Sequence, residues 1–221
     1  DSSLVANKLL SKREYLPSKI FITALFMLHR FRSCFWISTA ITLLLEGVAI
    51  RYLSLYDELT LVQWVHFIML SIGHFFILNS VIALLLLIPL SYLVKGKAFW
   101  LGALVINSAW VTLVLADTFV FQLYRFHLNW AVMDLFINGG SEVIHFSLGM
   151  WIQILVMLMA VMAAVAGLLF LVYRYLKNLK VWPWATSLMV AFIIGNLSHA
   201  YAVAFNDSHI ASLSEAVPWS R

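Results

Sequence analysis

The sequence predicts an all-α, polytopic membrane protein: a five-transmembrane-helix bundle with its N-terminus inside and its C-terminus outside. Composition is the first reason, because hydrophobic residues make up 63% of the chain and charged residues only 11%. Ordinary soluble domains have roughly 45–50% and 25%. The other two reasons are five long apolar runs and an uneven distribution of Lys and Arg. A nucleic-acid-binding protein is not indicated.

Each of the five runs is long enough to cross the ~30 Å hydrocarbon layer, which takes about 20 mostly apolar residues. They must be helices, because an unpaired strand in lipid would leave its backbone groups without hydrogen bonds. The predicted spans are about 34–55, 61–94, 98–121, 147–173 and 184–205.

Basic residues set the predicted orientation. With the N-terminus inside, eleven Lys and Arg fall on the inner side, and only Arg51, Arg125 and Arg221 fall outside. Such an excess of positive charge is typical of the cytoplasmic side. Residues 1–32 form a basic cytoplasmic leader, in which 20–28 are predicted to form an interfacial helix.

The outer segment 122–146 is the one long predicted loop, and long loops in compact domains are often functional or locally structured. Its stretch "LNWAVMDLF" has apolar residues at helical spacing, so a short helix is predicted there. Asn129 is the expected N-cap, and "NGG" at 138–140 is expected to end the helix.

Polar groups inside a span cost several kcal/mol unless they are partnered, so each is a candidate site. Interhelical hydrogen bonding is the preferred interpretation for three asparagines, namely Asn79, Asn107 and Asn196. Glu46, near the middle of the first span, is equally compatible with a functional acid and with a neutral acid in a helix interface.

Histidines are the candidate ligands of a cofactor in this sequence. A haem held by two helices needs a pair at matched depth, and His74 with His199 is the candidate pair. Interfacial histidines with local hydrogen bonds are the simpler interpretation. The sequence has no close metal-ligand spacing, and its single cysteine, Cys34, excludes a Cys-rich site. No metal and no cofactor are therefore expected in this segment.

The fourth span contains two pairs of small residues four positions apart, Ala160 with Ala164 and Ala163 with Gly167. Such pairs allow close helix approach. Packing inside the bundle is the preferred interpretation, and a docking face for a partner helix is the alternative.

The outer rim gathers the remaining polar residues. Arg125, His127 and Asn129 are the candidates for contacting a lipid phosphate, and Asp117 is expected to orient Arg125 or to cap the loop. An ordinary wet rim, with Asp117 paired to Arg125, is the alternative. The other rim residues are Asp134, Glu142, His145, His199, Asn206, Asp207 and His209.

Four stretches in this order resemble one family: "RYLSLYD" (51–57), "IGHFFILNSVIALLLLIPLSYLVKGKAF" (72–99), "DTFVFQLYRFHLNWAVMDLFIN" (117–138) and "SHAYAVAFND" (198–207). The chain resembles the N-terminal transmembrane domain of the YejM/PbgA family. These are inner-membrane, sulfatase-like proteins of Gram-negative bacteria. The resemblance covers most of 33–210, and residues 1–32 match poorly. Glu46 departs from the apolar residue expected there, so no inherited role is assigned to it.

The resemblance implies that 206–221 begins a linker to a periplasmic sulfatase-like domain. It also implies binding of cardiolipin or lipopolysaccharide at the periplasmic leaflet, and regulation of outer-membrane lipid homeostasis through a transmembrane partner, an adaptor of a membrane protease. The basic pair expected to contact lipid A in the linker is absent. This segment is expected not to be an enzyme. The alternatives are the membrane anchor of a lipid-modifying phospho- or sulfo-transferase or hydrolase, whose active site lies downstream, and a haem- or quinone-binding protein.

Overall fold

A computed structural model of the chain describes residues 28, 30–56, 58–131, 133–134, 147–206 and 208–218. These residues form helices and connecting turns, with no strand among them. The predicted interfacial helix at 20–28 lies outside the described residues, apart from Leu28.

Five helices are long and apolar enough to cross a membrane, which confirms the predicted number of spans. We name them α1 (Arg30–Leu55), α2 (Leu61–Leu93), α3 (Lys97–Tyr124), α4 (Leu148–Arg174) and α5 (Trp182–Ala204). A sixth, short helix α6 (Ser208–Glu215) follows. The predicted span boundaries differ from the observed ones by a few residues, mostly because amphipathic residues such as Arg30 continue a helix beyond its apolar part.

Local sequence explains where several helices begin. Thr60 and Gln63 form a capping box at the start of α2, and the Ser147 hydroxyl accepts from the Met150 N–H at the start of α4. Pro183 occupies the first turn of α5, where its missing N–H is not needed. Pro89 lies inside α2, directly after a π-helical segment Ala83–Leu87, which accommodates its missing hydrogen bond.

α1 is the centre of the bundle. In its most apolar window 61% of the residues are buried, against 17% for α4 and for α5. Buried Trp36, Ile37, Ile41 and Leu45 lie along it. α4 packs on α3 and α5 packs on α2, so both outer helices leave much of their surface free for lipid or for another protein.

Two glycines bring α2 and α5 together. A Cβ atom added at Gly73 would lie 2.4 Å from Phe192 Cα, and one added at Gly195 would lie 2.6 Å from Leu70 Cα. Because the obstructing atoms belong to the backbone, only glycine fits at either position. The contacts also define the register: α2 and α5 run antiparallel, with Gly73 opposite Phe192 and Leu70 opposite Gly195.

Candidate functional site

Asp117 is the centre of a polar cluster at the end of α3. Its side chain is fully buried and accepts hydrogen bonds at both oxygens. Oδ2 accepts from the Tyr52 hydroxyl at 2.6 Å and lies 2.7 Å from His127 Nδ1. Oδ1 accepts from the Leu128 backbone N–H. A buried carboxylate needs partners of this kind, because an unpaired buried charge is strongly destabilising. We call Asp117, Tyr52, His127 and the Leu128 N–H the Asp117 cluster.

The chain reverses direction at Arg125, and this reversal builds the cluster. Arg125 follows the last residue of α3 with φ 62° and ψ 22°, in the left-handed region, and its N–H donates to the Phe121 carbonyl. Few residues other than glycine adopt this conformation. The reversal stacks the His127 ring on Phe121, with 4.6 Å between centroids, and directs the imidazole towards Asp117.

His127 bridges the cluster to the C-terminal helix. Its Nε2 lies 2.8 Å from the Glu215 carbonyl oxygen, which can only accept, so Nε2 carries a proton. Nδ1 faces the Asp117 carboxylate at 2.7 Å. Both ring nitrogens of His127 are therefore in contact with protein oxygens.

α6 is held against the outer ends of the helices by further polar contacts. The Tyr56 hydroxyl donates to the Ser212 carbonyl at 3.0 Å. The Ser214 hydroxyl lies 3.2 Å from His66 Nε2 and 2.7 Å from His199 Nδ1. Burial of the Tyr56 ring, and then the nearby Glu215 carboxylate, raises the pKa of the Tyr56 hydroxyl. Leu213, Ala216 and Val217 are almost fully buried beneath these contacts. The described part of the predicted linker 206–221 is thus a helix that packs back on the bundle.

Asp117 does not pair with Arg125, contrary to one of the two sequence-based expectations, and its ion-pair partner among the described residues is His127. The other expectation, that Asp117 caps the loop, matches its bond to the Leu128 N–H. The Arg125 side chain is exposed, and its guanidinium makes no hydrogen bond or ion pair within the described part of the chain. Its neighbours in sequence are exposed apolar or aromatic residues, namely Leu123, Tyr124, Phe126 and Trp130.

The remaining candidates on the rim have different surroundings. Asn129 is exposed, and its carbonyl accepts from the Met133 N–H, consistent with the predicted short helix beginning there. The predicted end of that helix at 138–140 lies outside the described residues. So do Glu142, His145, Asp207 and the side chain of His209.

Sequence reasoning missed the role of Arg51. Its guanidinium donates to Thr118 Oγ1 and Gln122 Oε1, both at 3.2 Å, and lies 4.4 Å above the Phe119 ring centroid. Gln122 in turn donates to the Arg51 carbonyl at 3.0 Å. These bonds join the end of α1 to α3 beside the Asp117 cluster. The spacing of Thr118, Phe119 and Gln122 on one helical face was the available signal.

The polar residues within the spans fall into two groups. Asn79 Nδ2 donates to Thr42 Oγ1, and its Oδ1 accepts from the Trp110 indole N–H, each at 2.8 Å, so Asn79 joins α1, α2 and α3 as predicted. For Asn107 and Asn196 the predicted interhelical bond is wrong. Each donates to a carbonyl of its own helix four residues earlier.

Glu46 faces Ser71 across the α1–α2 interface. The Ser71 hydroxyl lies 2.8 and 2.7 Å from the two Glu46 oxygens and 2.7 Å from the Phe67 carbonyl. A hydroxyl has one proton to donate. If Ser71 donates it to the Phe67 carbonyl, Glu46 needs its own proton to bond with Ser71. If Ser71 instead donates to Glu46, the carboxylate needs no proton, so both interpretations of Glu46 stay predictions.

His74 and His199 do not form a pair at matched depth, which corrects the expectation behind the haem interpretation. In the antiparallel register the end of α5 lies beside His66, whose Nδ1 is 2.7 Å from Ser198 Oγ. His74 is eight residues further along α2, about 12 Å away along the helix axis. Among the described residues, no group of three or more His, Cys, Asp or Glu could hold a metal ion.

The small residues of α4 are exposed, and a Cβ added at Gly167 meets nothing within 4 Å. α4 instead uses Val161, Val165, Leu169 and Val172 for its buried face. Within the described residues, Ala160, Ala163, Ala164 and Gly167 therefore do not serve the internal packing that the sequence favoured. The partner-face alternative stays a prediction.

Together, the five apolar helices and the polar clusters at their ends define a multi-pass membrane domain. A family match covers residues 25–221, and the chain belongs to this family, DUF3413, which is described as a domain of unknown function. No curated protein matches the chain significantly.

Proposed function

We propose that this chain is the membrane domain of a YejM-like, sulfatase-like protein of the bacterial inner membrane. In this proposal it binds anionic lipid, cardiolipin or lipopolysaccharide, at the periplasmic leaflet and regulates outer-membrane lipid homeostasis through a membrane partner. Membership of DUF3413 supports the link, because the N-terminal domain of YejM-like proteins is known by that name. The positive-inside rule supports the placement of the Asp117 cluster on the periplasmic side.

The observation that carries the lipid-binding part is the setting of Arg125. An exposed guanidinium follows a helix end whose geometry is fixed by the buried Asp117 cluster. Exposed aromatic rings lie on both sides, with Tyr124 and Phe126 stacked at 5.5 Å. Guanidinium groups bind phosphate through paired charge-assisted hydrogen bonds, and aromatic side chains favour the headgroup level of a bilayer. Arg125 can therefore contact a phosphate while its neighbours lie against acyl chains.

The same cluster gives a route from bound lipid to the rest of the protein. His127 connects Asp117 to the backbone of α6, the helix before the expected periplasmic domain. A lipid held two residues away at Arg125 would stabilise one position of this loop, and hence of α6. The exposed small residues of α4 offer a separate face on which a partner's transmembrane helix could pack closely.

Lipid binding can be tested in nanodiscs of phosphatidylcholine with added cardiolipin or lipopolysaccharide. Arg125→Gln should weaken retention of the anionic lipid, as measured by native mass spectrometry, by roughly tenfold, the usual scale for one desolvated charge-assisted contact. Arg174→Gln is the matched control, because it removes the same charge from an exposed position at the opposite end of the bundle. Equal retention by both variants would remove Arg125 from the proposal.

The sulfatase-like domain can be tested separately from the sequence that follows residue 221 in the intact protein. A metal-bound Thr or Ser nucleophile with Asp and His ligands would indicate an enzyme anchored by this domain. A related domain without that set would indicate a regulator.

A further inference from the structure

We propose that the opposite end of the bundle contains a second anion site, which binds the phosphate of an anionic phospholipid headgroup. A cavity of about 200 Å³ lies between the start of α1, the α2–α3 connection and the end of α4. This is the end that carries most of the Lys and Arg, and the positive-inside rule places it in the cytoplasm.

Three cationic side chains from three separate segments line this cavity: Arg30 of α1, Lys95 of the α2–α3 connection and Lys177 after α4. No Asp or Glu is among the described residues that line it. Two of the cations are held in place by aromatic rings. Lys177 Nζ lies 4.0 Å above the Tyr173 ring centroid, and the Arg30 guanidinium lies 4.9 Å above that of Tyr92. Three positive charges around one cavity favour an anion between them.

The backbone around the cavity is preorganised. Arg32 donates to the Asn178 and Leu179 carbonyls, each at 2.7 Å, and so ties the α4–α5 connection to the start of α1. This tie keeps Arg30 and Lys177 beside the same cavity. On the other side Gly96, with φ +60°, makes the turn into α3 and supplies no side-chain cap for its first N–H groups. The positive end of the α3 dipole adds to the field of the lysines.

The walls of the cavity favour a lipid over a soluble phosphate. Phe99, Trp100 and Tyr173 line it together with the cations, and Trp100 packs edge-on against Tyr173 at 5.4 Å. Aromatic residues at a helix end mark the level where headgroups meet acyl chains. The buried Ser91 hydroxyl, also in the lining, donates to the Ile88 carbonyl and keeps its lone pairs for a headgroup hydroxyl. A glycerol-bearing headgroup such as that of phosphatidylglycerol suits this combination.

The test compares two double variants of the full chain in nanodiscs of phosphatidylcholine containing phosphatidylglycerol. Both carry Arg125→Gln, so that the proposed periplasmic site does not contribute. Lys95→Gln with Lys177→Gln removes two charges from the cavity. Lys97→Gln with Lys180→Gln removes two exposed charges from the same end, at positions that do not line the cavity.

We expect the cavity variant to lose roughly tenfold to thirtyfold in retention of phosphatidylglycerol, and the control variant to lose much less. Equal losses would show only a general surface attraction and would overturn the site. A third arm adds inorganic phosphate to the protein in neutral lipid and measures thermal unfolding. If millimolar phosphate stabilised the protein against unfolding, and the cavity variant abolished this effect, the choice of a lipid ligand would be overturned. Because Arg125 is already removed, failure here would leave the proposed periplasmic function untouched.

Discussion

Replacing Asp117 by Asn is the most direct test of the Asp117 cluster, because the change keeps the shape of the side chain while it removes the charge and one acceptor oxygen. Asn retains one acceptor oxygen for the Leu128 N–H, but its amide nitrogen then faces Tyr52 and His127. Hydrogen bonds to charged groups contribute about 1.5–3 kcal/mol and neutral ones about 0.5–1.5 kcal/mol. The bonds to Tyr52 and His127 lose their charged acceptor, so we expect the free energy of unfolding to fall by about 2–3 kcal/mol.

The effect should be largest at α6, since His127 connects Asp117 to the Glu215 carbonyl. Thermal unfolding in detergent measures the overall loss, and amide hydrogen exchange over 208–218 measures the local one. Asp134→Asn is the matched control, because it makes the same chemical change at an exposed position, where ion pairs contribute about 0–1 kcal/mol. If Asp117→Asn left exchange in α6 unchanged while Asp134→Asn had an equal effect on melting, the argument that Asp117 holds this helix would be refuted.

Three other predictions concern packing and pH. Gly195→Ala places a Cβ against the α2 backbone and should cost about 1–3 kcal/mol of stability in thermal unfolding. Gly167→Ala, in open space, should be neutral or gain up to about 1 kcal/mol. Equal shifts for the two variants would contradict the packing described. Asn79→Leu should cost about 1–3 kcal/mol by the same assay, because it removes the hydrogen bonds that join Asn79 to Thr42 and to the Trp110 indole. Asn196→Leu, at an exposed site, should cost little. Because the pKa of Tyr56 is raised, its contribution to stability is fully present below its ordinary value of 10.0 and is lost as pH rises through the higher folded value. Tyr56→Phe should flatten this loss of stability at alkaline pH. An unchanged profile of stability against pH would exclude Tyr56 as its source.

The sequence was sufficient for the five spans because a bilayer allows few alternatives. Runs of about 20 apolar residues must be helical in lipid, and their length decides their number. It was less informative about which helices touch. The small residues of α4 resembled a packing motif, yet the close approach occurs between α2 and α5, at Gly73 and at Gly195. The pair Ala191 and Gly195 has the same four-residue spacing, and both residues are buried. Spacing alone does not show whether such a face meets a helix of the same chain.

The Asp117 cluster shows the second limit of the sequence. Asp117, Arg125 and His127 were all recognisable as candidates, but their pairing depended on the backbone conformation of one residue. The helix containing Asp117 ends at Tyr124, about two turns after Asp117. The left-handed turn at Arg125 then brings His127, and not Arg125, back to Asp117. Non-glycine residues rarely adopt this conformation, so no sequence pattern predicts it at Arg125. Nor did the sequence indicate that α6 returns to the bundle, because its contacts come from Tyr56, His66 and His127, which lie far apart in the chain.

The contacts of α6 and α4 indicate which part of the domain each of these helices can affect. At the end with the Asp117 cluster, side chains from α2, α5 and two connections all converge on α6, so α6 responds to the position of several helices at once. α4 packs on α3, and its Ala164, Leu168 and Leu171 line a cavity together with residues of α1. In the proposed function, α6 would therefore be the element that responds to bound lipid, and the exposed residues of α4 would form the face on which a second membrane protein packs.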